Sequence, residues 1–415
     1  MNRELFVKNR NKFAQEMEDK SIAVFFAGKA PNRSADQNYE FTPNRNFYYL
    51  TGIDRENMIL IITKYQNRIE ERLFIEQVSE LEEKWTGIRL KQEAAESISG
   101  IKKIMPTNEF EKMFERTLKL NNMETIYLDT EYRGNRYQSE ALAFSKTVQT
   151  NYPHLAIRSA TYIVHDLRTI KEPEEIEEIR KAIDLTRLGI ESLMNNSEPG
   201  LKENQLEAFF DFAIKYHGSK SRAFETIAAG GKNATILHYN ENNQELKDGD
   251  LILFDLGAEH SYYCADISRT IPVNGKFTAR QKAIYESVLS VQEECIKFIK
   301  PGILWKDLHQ LAKDLLAKEA IKLGIIQEEK DIMKYYYHGI GHYMGLDVHD
   351  VGRYDFNQRP LQAGMVLTIE PGLYIEEEGI GVRIEEDVLV TEDGYEVLSK
   401  DIIKTVDDIE SFMSK

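Results

Sequence analysis

Asp255 stands alone among apolar neighbours in LILFDLG (251–257), and a second carboxylate, Asp266, follows eleven residues later in YYCADISRT (262–270). A buried carboxylate without a partner is costly, so each needs a cation or a donor. With a turn centred at His260–Ser261, the two segments form a hairpin that sets Asp255 opposite Asp266 on one face. Carboxylates that close repel unless a cation or proton sits between them. An ordinary arrangement fits equally well, with one Asp capping a turn and the other paired with Arg269. Further on, YYYHGIGHYMGLDVHDVG (335–352) carries His338, His342 and His349, three of the chain's nine histidines. The four-residue spacing of His338 and His342 suits a helical zinc pair, but Gly339, Gly341 and Gly345 argue for extended or turning backbone. GMVLTIEPGLYI (364–375) places Glu370 at the end of an apolar strand. In GIGVRIEEDVLVTEDG (379–394), the period of two puts Arg383, Glu385 and Asp387 on one strand face and Glu386 on the other. Asp255, Asp266, His342, Glu370 and Glu385 together make an oxygen-rich set with one imidazole. Such a set suits two divalent ions, Mn²⁺ or Co²⁺, better than one structural zinc. Two metals about 3.5–4 Å apart can share a hydroxide and clamp a tetrahedral intermediate.

Positioning these side chains takes strands, and the sequence places them at 223–229, 251–256, 262–270, 336–343, 366–370 and 382–390. Helices are expected near 203–217, 278–299 and 305–323. The long helix that opens this part is signalled in DLRTIKEPEEIEEIRKAIDLTRLGI (166–190) by Pro173 and a following acidic run, which reads as a solvated helix start. A domain boundary near 170 follows, giving domains 1–170 and 171–415. Only five of the 24 glycines and two of the nine histidines precede residue 172, so the chemistry belongs to the second domain. The first domain reads as mixed α/β, with strands at 21–28, 57–63, 72–76 and 125–129 and helices at 4–18, 80–98, 107–119 and 138–148. The expected fold class is α/β (α+β).

Composition narrows the partners. A net charge of −16 argues against nucleic acid and anionic membranes. No apolar run reaches the length of a membrane helix, and the polar N-terminus lacks the pattern of a secretory signal. Cys264 and Cys295 cannot make a disulfide scaffold or a cysteine zinc site, which makes a reducing cytoplasm the default location.

The series LILFDLG, CADISRT, HGIGHYMGLDVHDVG, TIEPGLYI and GVRIEEDVLV resembles the pita-bread metallopeptidases, with all five motifs in the family order across roughly 174–410. FAGKAPNRSADQNYEFTPNRNFYYLTGID (26–54) and EKWTGIRL (83–90) look like the N-terminal domain of the aminopeptidase P branch. The resemblance implies a metal-dependent exopeptidase that releases the first residue from peptides with proline second, by attack of a metal-bridging hydroxide. It assigns Asp255, Asp266, His342, Glu370 and Glu385 as metal ligands, with Asp266 and Glu385 bridging. Mn²⁺ is the first choice of ion, Co²⁺ or Zn²⁺ the alternatives. It gives Glu370 proton transfer and His238 the steadying of the tetrahedral intermediate. His338, His349 and Arg383 surround the proline and carboxylate side of the substrate, and Tyr374 stands in the pocket wall. Trp85 matches a tryptophan that reaches a neighbouring subunit's site, implying a homodimer or homotetramer. Asn46 stands where some relatives carry Asp. Rival readings on the same fold are an Xaa-Pro dipeptidase, a metal-free creatinase and a non-catalytic binding protein. The N-terminal motifs speak against the first, and the complete ligand set against the other two.

Overall fold

Six short segments of the first part pair into one mixed sheet, ordered Ile104–Pro106, Arg68–Ile75, Ile59–Tyr65, Ser21–Phe26, Thr125–Leu128, Ala156–Ser159. Ser21–Phe26 runs antiparallel to Ile59–Tyr65 and parallel to Thr125–Leu128. Being covered on both faces, this central strand reads as a nearly unbroken apolar run, and Ile22, Ala23, Val24 and Phe25 are fully buried. Phe110, Phe114 and Phe144 close one face through tilted and edge-on ring contacts. The expected helix at 80–98 is two helices, Glu80–Thr86 and Gln92–Ser99. Gly87, at φ +91°, ends the first of them in a backbone conformation that other residues rarely adopt. The helix expected at 138–148 runs Glu140–Asn151, and position 138 lies outside the described residues. Asn46 is buried and serves this unit internally, donating to Asp129 at 3.0 Å and accepting from Arg168 at 2.8 Å.

This computed structural model describes residues 2–131, 139–352 and 359–414. The chain separates into two units, Met1–Arg168 and Thr169–Lys415.

The second unit opens with Pro173–Asn196, whose first turn is tied by the Glu172 backbone N–H donating to Glu175. Its acidic run is not simply solvated. Glu174 and Glu177 face water, but Glu175 and Glu178 lie on the buried face. Glu175 accepts from the Tyr263 hydroxyl at 2.8 Å, and Glu178 pairs with His260 at 2.5 Å. Burial pushes the Glu175 carboxyl up to about 7. Glu203–Tyr216 packs against this helix, and Ala279–Phe298 and Trp305–Lys322 pack against each other.

Antiparallel strands form the inner layer. Leu251–Leu256 lies between Ile227–Gly230 and Ile267–Pro272, and Glu386–Val390 lies between Val366–Ile369 and Tyr395–Val397. Gly372–Ile375 and Ile380–Arg383 make a separate hairpin. The strand expected at 382–390 is thus interrupted after Arg383, leaving Ile384 and Glu385 as a link between two sheets. The strand expected at 336–343 is irregular backbone running beside Val366–Ile369, held by Thr368 N–H to His342 O and Glu370 N–H to Ile340 O. Gly341 is what permits this approach, because a Cβ there would lie 1.9 Å from the Thr368 carbonyl oxygen. No helix among the described residues is long and apolar enough to cross a membrane.

Candidate active site

The hairpin carrying the two aspartates is in a different register from the one expected. Its turn is Ser261–Tyr262, both with positive φ as a two-residue primed turn requires. Asp255 therefore faces Ser268 rather than Asp266. The slip is two residues, an even number, so Asp266 still shares the face of Asp255 and lies one step along it. Arg269 is not the partner of Asp266: its guanidinium reaches Glu386 at 2.8 Å on the opposite face.

On the shared face the expected ligands converge. His342 Nε2 is 3.3 Å from Asp266 Oδ2 and 3.7 Å from Glu370 Oε1. Ligand atoms of Asp266, His342 and Glu385 all lie within 4.8 Å of one another. The Glu385 backbone N–H donates to Ser268 O at 3.1 Å, which seats the link residue at the site. The Ser268 hydroxyl sits 3.1 Å from Asp255 Oδ1 and 2.9 Å from Glu385 Oε2. Thr368 Oγ1 accepts from the His342 backbone N–H at 3.0 Å. Asp387, expected on this face, accepts the Asp266 backbone N–H at 3.2 Å, whereas Ser268 and Thr368 are site residues that sequence reasoning passed over. Their signal was the same period of two: Ser268 lies two positions from Asp266, and Thr368 two from Glu370.

Electrostatics make the site fit divalent metal. Burial pushes the Asp266 and Glu385 carboxyls well above the usual carboxylate range, and neighbouring carboxylates push them further. Glu370 is raised by burial too, against the pull of His342 and Arg383. His342 Nδ1 lies 3.0 Å from the Tyr343 carbonyl oxygen. That acceptor fixes the proton on Nδ1 and leaves the Nε2 lone pair facing the carboxylates, the arrangement of a metal-ligating histidine.

These residues line one cavity of about 440 Å³, shared by Asp255, Asp266, His342, Glu370 and Glu385 with His238, His338, His349 and Arg383. Arg383 is buried and donates to Asp255 at 2.7 Å, to Ser268 at 2.7 Å and to the Tyr374 hydroxyl at 3.2 Å. His338 Nδ1 faces the Gly339 carbonyl, so its Nε2 accepts from the Tyr374 hydroxyl, each at 2.7 Å. Burial, aided by Arg383, pushes the His338 imidazole down to about 3. His349 packs edge-on to His342 with ring centroids 4.2 Å apart, and burial with His342 beside it pushes it down to about 4. Tyr374, expected in the wall, stands behind it at 2% exposure, hydrogen-bonded to His338 and Arg383. Trp85 belongs to the first unit, on the exposed Glu80–Thr86 helix at 83% exposure.

Residues 177–392 match the model of metallopeptidase family M24, and residues 6–127 match the aminopeptidase P N-terminal domain. The chain belongs to the aminopeptidase P family. It joins the N-terminal α/β domain of that family to a pita-bread catalytic domain, as the motifs implied. Xaa-Pro aminopeptidase of Escherichia coli is 33% identical, with 100% of this chain and 98% of that one covered. Mouse Xaa-Pro aminopeptidase 3 is 33% identical over 92% of this chain and 78% of that one. Among solved structures, a Bacillus anthracis protein assigned as an aminopeptidase P superposes with a TM-score of 0.97 at 48% identity, covering 100% and 98% of the two chains. Zinc-substituted aminopeptidase P of Escherichia coli, in complex with product, gives 0.92 at 32% identity with the same coverage. This member of the family is a metal-dependent peptidase and a hydrolase.

Proposed function

We propose that the chain releases the N-terminal residue from peptides whose second residue is proline, using two divalent ions, Mn²⁺ in preference to Co²⁺ or Zn²⁺. The observation that carries this reading is the gathering of Asp255, Asp266, His342, Glu370 and Glu385 in one cavity with His338, His349 and Arg383. The first five would hold the ions. Bound there, divalent metal supplies an acidified water and polarises a carbonyl. Glu370 takes the proton of the attacking water and returns it to the leaving proline nitrogen. His238, on the cavity wall, donates to the developing oxyanion. His338 is uncharged at neutral pH and is oriented by the chain Arg383 to Tyr374 to His338. Proline has no N–H to satisfy, so its ring is accepted by the shape between His338 and His349, with Arg383 at the carboxylate side. The free amine of the substrate lies toward Asp255, which limits cleavage to the first bond.

Trp85 is so exposed that packing within its own unit does not account for it. A homodimer or homotetramer in which it completes a neighbour's site fits that exposure, in a cytoplasmic enzyme. Rates of the Mn²⁺-loaded protein on Xaa-Pro-Xaa and Xaa-Pro peptides test the reading. Tripeptides should be cleaved faster; equal or reversed rates would make the chain a dipeptidase.

A further inference from the structure

The cavity wall changes character beside Asp255. Phe224, Ile227 and Leu237 make it apolar there, and a single carboxylate, Glu225, stands among them. Their place is set by the sheet. Ile227 is the strand partner of Asp255, and Glu225 lies two residues before it. A Cβ on Gly257, two residues past Asp255, would come 3.2 Å from the Phe224 ring, so that ring covers the backbone at this end. The Glu225 side chain is 81% exposed at the rim, with Arg222 Nη2 at 3.7 Å. Arg222 is shared: it also pairs with Glu207, and its Nε lies 3.5 Å from Asp211. Three carboxylates around one guanidinium leave an excess of negative charge, with Glu225 its outermost member. The Asp211 carboxyl registers this. It is raised by burial, and by Glu207 and Glu225, despite the pull of Arg222.

We propose that Glu225 determines specificity at the first substrate residue, favouring Arg or Lys, whose apolar stem covers Phe224, Ile227 and Leu237 while the cationic head meets the Glu225 carboxylate. The inference rests on the peptidase reading, which places the substrate amine, and hence the first side chain, at the Asp255 end. Long cationic side chains bury their stems and keep the charge at the water boundary, which is what this wall offers. A first-residue Leu gains only the stem contact, and a first-residue Glu meets like charge.

Values of kcat/KM for Arg-Pro-Xaa, Leu-Pro-Xaa and Glu-Pro-Xaa peptides test it with the metal-loaded full chain. Wild type should rank Arg above Leu above Glu, and high salt should shrink the spread. Glu225→Gln should lower the Arg-to-Leu ratio about fivefold, the scale of one exposed ion pair. Glu225→Arg should place Glu above Arg. Glu293→Gln, which removes an exposed charge elsewhere, should leave the ratio as in wild type. An unchanged ranking in both Glu225 variants overturns the inference and leaves the peptidase reading standing. Failure of wild type to cleave any Xaa-Pro peptide removes that reading and the inference with it.

Discussion

Replacing Glu385 and Glu386 by glutamine, one at a time, should have opposite consequences although the residues are adjacent. Glu386 is fully buried and pairs with Arg269, itself 2% exposed, at 2.8 Å, with Lys404 at 3.4 Å. Breaking a buried pair by removing one partner typically costs about 3–5 kcal/mol. Arg269 keeps the carbonyls of Ser268, Glu385, Ile402 and Ile403 as acceptors, and the amide is isosteric, so the loss should sit near the lower end, about 3 kcal/mol. Glu385 faces Asp266, Glu370 and Asp255, and burial and those charges oppose its ionisation. Glu385→Gln should therefore stabilise the metal-free catalytic unit while removing a ligand. Metal at a hundred times its dissociation constant adds about 2.7 kcal/mol to a site that binds it. Urea unfolding of the catalytic unit, in chelator and in Mn²⁺, reads both effects. Glu386→Gln should unfold earlier in chelator yet keep the Mn²⁺ shift and much of the activity. Glu385→Gln should resist urea in chelator, lose the Mn²⁺ shift and lose most of the activity. Loss of the Mn²⁺ shift in Glu386→Gln instead would refute the strand register.

Glu175→Gln should alter the pH profile of stability. The folded chain holds the Glu175 proton up to about pH 7, whereas an unfolded chain releases it near 4.5; stability should thus fall as pH rises through that window, by about 1.4 kcal/mol per unit at most. Unfolding midpoints at pH 5 and 7.5 should draw together in the variant, and an undiminished difference would contradict the assignment. Gly341→Ala should drive the backbone away from the Thr368 carbonyl and weaken metal binding about tenfold or more, measured by competition with a chelating dye. Trp85→Ala, at an exposed position, should leave the melting temperature alone but lower activity only in the assembled enzyme. A fully active wild-type monomer in sedimentation would rule that role out.

Most of the site was legible because Asp255 sits in a strand and Asp266, Glu370 and Glu385 adjoin strand ends, where the period of two still decides which face each side chain takes. Arg383, Glu385 and Asp387 face the site and Glu386 does not, even though the backbone changes sheets between 383 and 386. What escaped was set by geometry that composition does not encode. Ser261 and Tyr262 both adopt positive φ, unusual for their types, and moved the aspartate hairpin by two residues. The acidic run after Pro173 read as solvated, but a helix shows two faces, and Glu175 and Glu178 found Tyr263 and His260 across the packed one. Tyr374 matches a wall residue by motif alone, and it is the packing of the fold, not the motif, that sets it one layer behind. Ser268 and Thr368 carry no charge and so did not stand out, although they hold the carboxylates and the His342 backbone in place.

Metal counted against rate tests the central claim most directly, that Asp255, Asp266, His342, Glu370 and Glu385 hold a dinuclear centre on which proline-directed cleavage depends. The full chain, stripped by chelation and titrated with Mn²⁺, should regain cleavage of an Xaa-Pro-Xaa peptide in step with binding, up to two ions per chain. Full activity in chelator, or a maximal rate reached at one ion per chain, would contradict it.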